Sequence, residues 1–208
     1  MNKGYVCGPF VNIPFKQFRI NPVGVAEGKY SKKKRLIVDL SAPHDDENNP
    51  SLNDIDKEEF SLQYVTIDDA INLIKRFGKN SWLMKTDISD AFKIMPIDPT
   101  LWPYHGIKWE SNYRENNYHF FKQLVFGSRS SSKIFDTISQ AVCWIASNNY
   151  NIKNILHLLV TMKTFLSILE VLGIPLSLKK TVGQFNTIEY LGIYLDSDKM
   201  EARLQKKC

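Results

Sequence analysis

The sequence is poor in cysteine and has no long apolar run. Its three cysteines lie far apart in the chain, at Cys7, Cys143 and Cys208. This spacing suits neither a disulfide framework nor a zinc site, so we expect no disulfide partner. It also favours a reducing, intracellular compartment, either cytoplasmic or nuclear. Because no stretch approaches 18 consecutive apolar residues, the sequence predicts no membrane-spanning helix.

Acidic residues are unevenly distributed. They crowd residues 45–59 and are absent from residues 137–169. The net charge is +5, which is compatible with a polyanionic partner but does not demand one. Basic residues form blocks at 32–35, 179–180 and 206–207. A single basic block is as often a solvated face as a nucleic-acid contact.

The chain has enough apolar character to fold. It is 43% hydrophobic and 24% charged, which argues against disorder of the whole chain. Apolar residues at helical spacing predict helices at 66–77, 131–147 and 162–172. Branched and aromatic runs predict strands at 35–40, 82–88, 118–126 and 188–195, and residues 41–60 are predicted to be a loop. A hairpin through 110–116 implies antiparallel pairing, so the fold class is predicted to be α+β.

A carboxylate is predicted at the end of a buried strand within residues 85–92. The strand delivers Asp87 to its end, and Asp90 and Phe92 follow. Carboxylate oxygens suit Mg²⁺, which prefers oxygen ligands. An alternative is that Asp87 or Ser89 caps a short helix, and local chemistry alone favours this cap.

Two further segments allow a functional or an ordinary interpretation. In residues 124–135, Gly127 and the small polar residues after it could let the backbone approach a ligand. An ordinary strand–helix loop explains the same residues. The basic block at 32–35 could bind phosphates, or one of its members could pair with Asp39.

The order and spacing of these segments resemble those of reverse transcriptases. The similarity is greatest to the enzymes of DIRS-like retrotransposons, which integrate with a tyrosine recombinase, and it extends from about Gly8 to Leu204. Residues 35–41 and 51–53 resemble the fingers motif of that family. The segments that resemble its first, second, fourth and fifth palm motifs are 85–92, 124–135, 172–181 and 188–197.

The resemblance implies a right-hand polymerase domain with an antiparallel sheet packed on helices. The fingers-like part would be residues 1–80 and the palm-like part residues 81–208. The implied function is that of an RNA-directed DNA polymerase. Its partners would be an RNA or DNA template–primer and a deoxynucleoside triphosphate, with no membrane, and its cofactor would be Mg²⁺ or Mn²⁺.

The resemblance also assigns roles to individual residues. Asp87 matches the catalytic, metal-binding aspartate of the first palm motif. Residues matched to nucleotide binding are Arg35, which would touch the triphosphate, Phe92, which would reject a ribose 2′-hydroxyl, and Gly127, Ser131 and Lys180. Residues matched to nucleic-acid binding are Lys33, Lys34, Tyr190 and Gly192, the last two in the primer-grip region.

The third palm motif is missing. In the family, a strand enters a tight hairpin that carries two adjacent aspartates. The segment ending at Leu159 resembles that entering strand, and the aspartate pair is expected directly after it. Val160 and Thr161 stand there instead. We therefore predict that about a hairpin's length of chain is deleted after Leu159, including the catalytic pair.

The missing pair should abolish catalysis. Phosphoryl transfer of this type uses two metal ions about 4 Å apart, held by three carboxylates. Asp87 alone supplies one of the three, so the sequence predicts weak metal binding and no catalysis. Val125 and Ser132 are a smaller departure from the family, since they replace prolines of the second palm motif.

Three functional hypotheses remain open from the sequence. The first is a catalytically inactive reverse transcriptase domain. The second is a non-catalytic nucleic-acid-binding remnant, whose binding should weaken with salt. The third is a product of a decayed element without function.

Overall fold

The computed structural model describes residues 4–28, 32, 34–44, 46, 48–54, 60–110, 116–150, 152 and 162–204. In chain order, the strands and α-helices are β1 (Val6–Phe10), β2 (Val23–Glu27), β3 (Lys34–Val38), α1 (Ile67–Phe77), β4 (Leu83–Lys85), β5 (Gly106–Glu110), β6 (Asn116–Phe121), α2 (Arg129–Asn149), α3 (Met162–Val171), β7 (Val182–Phe185), β8 (Thr187–Tyr190), β9 (Ile193–Asp196) and β10 (Glu201–Leu204). Short 3-10 helices lie at Ala91–Ile94, Pro99–Tyr104 and Leu178–Lys180. Within this described part, no helix has the length and apolar character to cross a membrane.

The chain divides into two compact units, each built from two segments. The first unit comprises Met1–Leu62 and Ala91–Phe135, and the second comprises Gln63–Asp90 and Asp136–Cys208. These bounds differ from the predicted division at residue 80. The helix α1 belongs to the second unit because it packs on β4, whereas β5 and β6 belong to the first because β6 pairs with β1. The assignment of fingers and palm remains a prediction.

The first unit is built on a three-stranded antiparallel sheet in the order β1-β6-β5, with a separate hairpin of β2 and β3. Phe120 of β6 is buried, and its ring stacks between the rings of Phe10 and Trp102, at centroid distances of 5.9 and 5.6 Å. A second cluster contains Val38 and Leu40 together with residues of β5 and β6. Aromatic burial therefore stabilises this unit on both sides of β6.

The second unit is held together by α1. Its buried residues Ala70 and Ile74 pack against Leu83 of β4, Ile188 of β8 and Leu195 of β9. The strands β8, β9 and β10 form one antiparallel sheet, and β4 pairs with β7. A separate cluster joins the C-terminal part of α2 to α3. The predicted α+β class with antiparallel pairing is confirmed.

The predicted helix at 66–77 is confirmed with its caps. Thr66 accepts a hydrogen bond from the backbone N–H of Asp69, and the Asp69 carboxylate accepts one from the backbone N–H of Thr66. This reciprocal capping box satisfies backbone donors that have no partner inside the helix. The N–H of Gly78, at a φ of +85°, donates to the carbonyl of Ile74 and ends the helix. The helices predicted at 131–147 and 162–172 are also present, with ends shifted by one or two residues.

The single strand predicted at 188–195 is wrong. Two antiparallel strands, β8 and β9, occupy this segment, with Tyr190 opposite Ile193. Leu191 and Gly192 join them at φ values of +50° and +81°. Two consecutive residues with positive φ form the tight turn whose twist matches a hairpin. The strands predicted at 82–88 and 118–126 are real but shorter, ending at Lys85 and Phe121.

A histidine is buried in the first unit without a ring partner. His119 on β6 is only 5% exposed, and neither ring nitrogen has a hydrogen-bond partner among the described residues. Gly8 of β1 lies so close that a Cβ there would be 2.6 Å from the ring. Burial lowers the pKa of His119, and a contact with the backbone of Asn117, too weak to count as a hydrogen bond of the ring, opposes this change only in part. At a given pH, the folded protein therefore keeps the ring neutral more than the unfolded chain does.

We expect His119 to make the protein sensitive to acid. The unfolded chain protonates this residue near pH 6.5, whereas the folded protein resists protonation. Its contribution to stability is therefore complete above pH 6.5 and is lost as pH falls, with a slope of at most about 1.4 kcal/mol per pH unit. Urea denaturation between pH 7.5 and 5 should give a shallower acid slope for His119→Gln than for the wild type. His105, whose pKa burial also lowers, is present in both proteins and cancels. Equal slopes would contradict the assignment.

Candidate functional site

Asp87 lies in the second unit, in an extended segment that continues the pairing of β4. Beyond β4, the backbone carbonyl of Asp87 accepts a hydrogen bond from the N–H of Ser177 at 2.8 Å. Ile88 then bridges Leu176, and Ser89 donates its N–H to the carbonyl of Pro175 at 2.8 Å. Residues 86–89 therefore run antiparallel to residues 175–181.

The Asp87 carboxylate forms an ion pair with a lysine. The Nζ atom of Lys180 lies 2.7 Å from Oδ2 of Asp87, with side chains 69% and 47% exposed respectively. The neighbouring Thr86 and Thr181 hydroxyls are hydrogen bonded at 2.8 Å. Two residues predicted for different tasks, metal binding and nucleotide binding, are thus brought together as an ion pair. The alternative in which Asp87 or Ser89 caps a short helix receives no support, because neither side chain accepts a hydrogen bond from the backbone of the 3-10 helix Ala91–Ile94.

The donor set around Asp87 does not fit a pair of divalent metal ions. Mg²⁺ is held by several oxygen ligands, and a pair of such ions needs more than one carboxylate. Nowhere in the described part of the chain do three or more His, Cys, Asp or Glu residues come together as a metal site. The ion pair with Lys180 therefore stands alone as the charged contact of the Asp87 carboxylate among those residues.

The expected position of the missing aspartate pair lies outside the described residues. The sequence places it directly after Leu159, and residues 153–161 all fall outside the described part of the chain. The description resumes at Met162, the first residue of α3. The strand predicted to end at Leu159 and the deletion that follows it therefore stay predictions, whereas the absence of acidic residues there is a fact of the sequence.

Tyr190 and Gly192, the residues matched to a primer grip, lie in the hairpin of β8 and β9. Tyr190 is partly buried against the α1 cluster, and burial raises the pKa of its hydroxyl, with a further contribution from the negative charge of Asp69. The hydroxyl therefore stays neutral. Gly192 provides the positive φ of the turn, which exposes Leu191 at the tip. Lys85 ties β4 to this hairpin by donating its Nζ to the carbonyl of Glu189.

Two basic residues predicted to belong to a fingers motif, Lys34 and Arg35, lie on β3 of the first unit. Lys34 and Arg35 are exposed and pair with Glu27 and Ala26 of β2 in the strand ladder. Among the described residues, the Arg35 side chain has no hydrogen-bond or ion-pair partner, so its charge remains available to an anion. Lys33 lies outside the described residues.

Among the described residues, Asp39 makes no ion pair with the basic block at 32–35. Its carboxylate instead accepts hydrogen bonds from the ring of His44 at 3.2 Å and from the backbone N–H of Ser41 at 3.0 Å.

Gly127 and Ser131, the small residues of the predicted second palm motif, pack inside the first unit. Gly127 has a φ of +110°, and a Cβ on it would lie 1.9 Å from the carbonyl oxygen of Val38. Ser131 is fully buried and donates its hydroxyl to the carbonyl of Val125 at 3.1 Å. Packing thus explains why both residues are small, and the Ser131 hydroxyl is already engaged within the protein. A contact of either residue with a nucleotide remains a prediction.

Asn53 is a buried polar residue for which the sequence predicted no role of its own. It is 6% exposed, and its Nδ2 donates to the Gly127 carbonyl at 2.6 Å and to the Ser41 hydroxyl at 2.9 Å. Its Oδ1 accepts from the N–H of Arg129, the first residue of α2, at 2.8 Å. Asn53 therefore fixes the glycine turn to the fingers motif. The position of Asn53 in the predicted fingers motif could have indicated a role. Because its sequence neighbours are polar, nothing in the sequence indicated that it is buried.

Phe92 packs among aromatic residues of the first unit. Its ring centroid lies 4.9 Å from that of Phe126 and 6.0 Å from that of Phe135. These contacts hold Phe92 half-buried at the start of a 3-10 helix. Its role as a gate against ribose remains a prediction.

Solved structures provide the comparison that decides the fold. The foamy viral protease-reverse transcriptase dRH in complex with double-stranded DNA is 17% identical, with a TM-score of 0.63, over 98% of this chain. The chain has a reverse transcriptase-like fold. The foamy viral protease-reverse transcriptase in complex with an RNA/DNA hybrid is also similar, with 16% identity and a TM-score of 0.58 over 97% of this chain. The chain spans 33% of the first structure and 25% of the second. No protein-family model and no curated protein matches it.

We expect Gly127→Ala to destabilise the protein by about 2–5 kcal/mol, since it adds a backbone clash to an unfavourable φ. Gly24→Ala is the matched control in the same unit. Gly24 lies on β2 and has no atom near an added Cβ. The control should be neutral or stabilising by up to about 1 kcal/mol, because alanine is less flexible than glycine in the unfolded chain. Urea denaturation measures both variants, and equal effects would contradict the close contact of Gly127 with β3.

Proposed function

We propose that this chain is the reverse transcriptase domain of a DIRS-like retrotransposon that binds a template–primer duplex but does not extend the primer. The observation that carries the proposal is the ion pair of Asp87 with Lys180 in a chain that has a reverse transcriptase-like fold. Its carboxylate is bonded to Lys180 at 2.7 Å, and the sequence offers no acidic residue between 137 and 169 to complete a metal site.

The loss of catalysis follows from electrostatics. The primer hydroxyl must be activated and the triphosphate held while negative charge develops between them. Two metal ions perform both tasks in this type of reaction, and each needs carboxylates from neighbouring strands. One carboxylate that is neutralised by an ammonium group cannot hold two such ions. The expected deficit is therefore many orders of magnitude in rate.

The retention of binding follows from charge and from the fold. The chain carries a net charge of +5, and Lys34 and Arg35 are exposed on β3. The similar viral proteins were solved with double-stranded DNA or with an RNA/DNA hybrid. Phosphate contacts of this kind do not depend on the missing carboxylates. Duplex binding is accordingly the activity that the chain can keep.

Primer extension tests the catalytic half of the proposal. A labelled primer on an RNA or a DNA template should show no added nucleotide with Mg²⁺ or Mn²⁺, and Asp87→Asn should give the same blank result. Extension that disappears in Asp87→Asn would establish an active polymerase with a metal ligand not recognised here, and would overturn the proposal.

Salt-dependent binding tests the other half. Fluorescence anisotropy of a labelled RNA/DNA duplex should show affinity that falls steeply with salt, because phosphate contacts release counterions. Arg35→Gln should reduce the slope of log K against log salt by about 1. Lys108→Gln is the control, since Lys108 is already paired with Glu110 at 3.5 Å. An absence of binding at low salt would favour the product of a decayed element without function.

A further inference from the structure

The carboxylate of Asp87 has a cation of its own, supplied by the protein. We propose that Lys180 is the permanent counter-ion of Asp87, standing where a divalent metal would otherwise bind, and that duplex binding by this chain therefore needs no divalent metal. The second half of this inference rests on the proposed function, whereas the first half concerns the protein alone.

Backbone pairing holds the two partners opposite each other. Lys85 is opposite Val182 in the β4–β7 ladder, and the carbonyl of Asp87 accepts the N–H of Ser177. The N–H of Lys180 in turn donates to the carbonyl of Ser177 at 2.9 Å. Because paired segments carry both residues, the ion pair requires only the ordering of the Asp87 and Lys180 side chains. Both side chains are exposed, so the pair contributes no more than an ordinary surface ion pair.

Charge explains why the pair disfavours a metal ion at Asp87. The Lys180 ammonium is bonded to Oδ2 of Asp87, so a divalent cation at that oxygen would meet a like charge at short range. No further carboxylate among the described residues joins Asp87 in a metal site to offset the repulsion. The same pair presents no net charge to a phosphate. A duplex can therefore approach Asp87 without a metal ion to mask its carboxylate.

Lys179 provides a matched control beside Lys180. Both residues belong to the 3-10 helix Leu178–Lys180, and both are exposed. Lys179 has no ion-pair partner in the part of the chain that the structure describes. Replacing either lysine by methionine removes the same charge from the same turn, but Lys180→Met alone would leave the Asp87 carboxylate bare.

Binding of Mn²⁺ alone tests the first half of the inference. The free ion can be followed by electron paramagnetic resonance during titration of the full chain. Lys180→Met should bind Mn²⁺ about two- to fivefold more tightly than wild type or Lys179→Met, which is the range expected for removal of an exposed ion pair. Adding Asp87→Asn to Lys180→Met should abolish the gain. Equal Mn²⁺ affinity in the two lysine variants would overturn the inference.

Duplex binding with and without metal tests the second half. Anisotropy should show the wild type binding the duplex at least as tightly in EDTA as in Mg²⁺ at matched ionic strength, because Mg²⁺ competes for the phosphates. In EDTA, Lys180→Met should bind about two- to fivefold more weakly than Lys179→Met, and either Mg²⁺ or Asp87→Asn should remove this difference. Wild-type binding that collapses in EDTA would overturn metal independence. If no variant binds the duplex, the proposed function fails, and the Mn²⁺ titration still decides whether Lys180 is the counter-ion.

Discussion

The antiparallel contact between residues 83–89 and 175–185 is the constraint on which the second unit depends. It begins in the β4–β7 ladder and continues through single backbone bonds beyond both strands. On one side it places Leu83 in the α1 core, and at its end it sets Asp87 against Lys180. The same backbone pairing therefore stabilises the second unit and places the charge of Lys180 beside the Asp87 carboxylate.

The first unit depends on a different constraint, the close approach of Gly127 to β3. The Val38 carbonyl oxygen lies in the space that a Cβ on Gly127 would need. The N–H of Val38 donates a hydrogen bond to the carbonyl of Phe126. Asn53 completes the arrangement by bonding the turn on both sides. Gly127, a position matched to reverse transcriptases, thus has no room for a larger side chain. Its small size has a packing reason that holds whether or not a nucleotide ever binds.

The elements that could be predicted are those whose signals are local. The helix α1 carries its own apolar stripe, its capping box and its terminating glycine, so neighbouring residues suffice to define it. The hairpin of β8 and β9 could not be found in this way, because apolar residues continue through its turn. Gly192 was its one local signal, and a lone glycine in a strand pattern also fits a bulge.

For the candidate site, the sequence by itself determined where carboxylates are absent. No Asp or Glu occurs between residues 137 and 169, so that segment cannot contribute a carboxylate to a metal site. Only the tertiary structure decided what the remaining carboxylate does. Asp87 and Lys180 are 93 positions apart, and their contact depends on the register of two paired segments. Register is set by the cooperative packing of the whole unit, so no local pattern in the sequence could specify it.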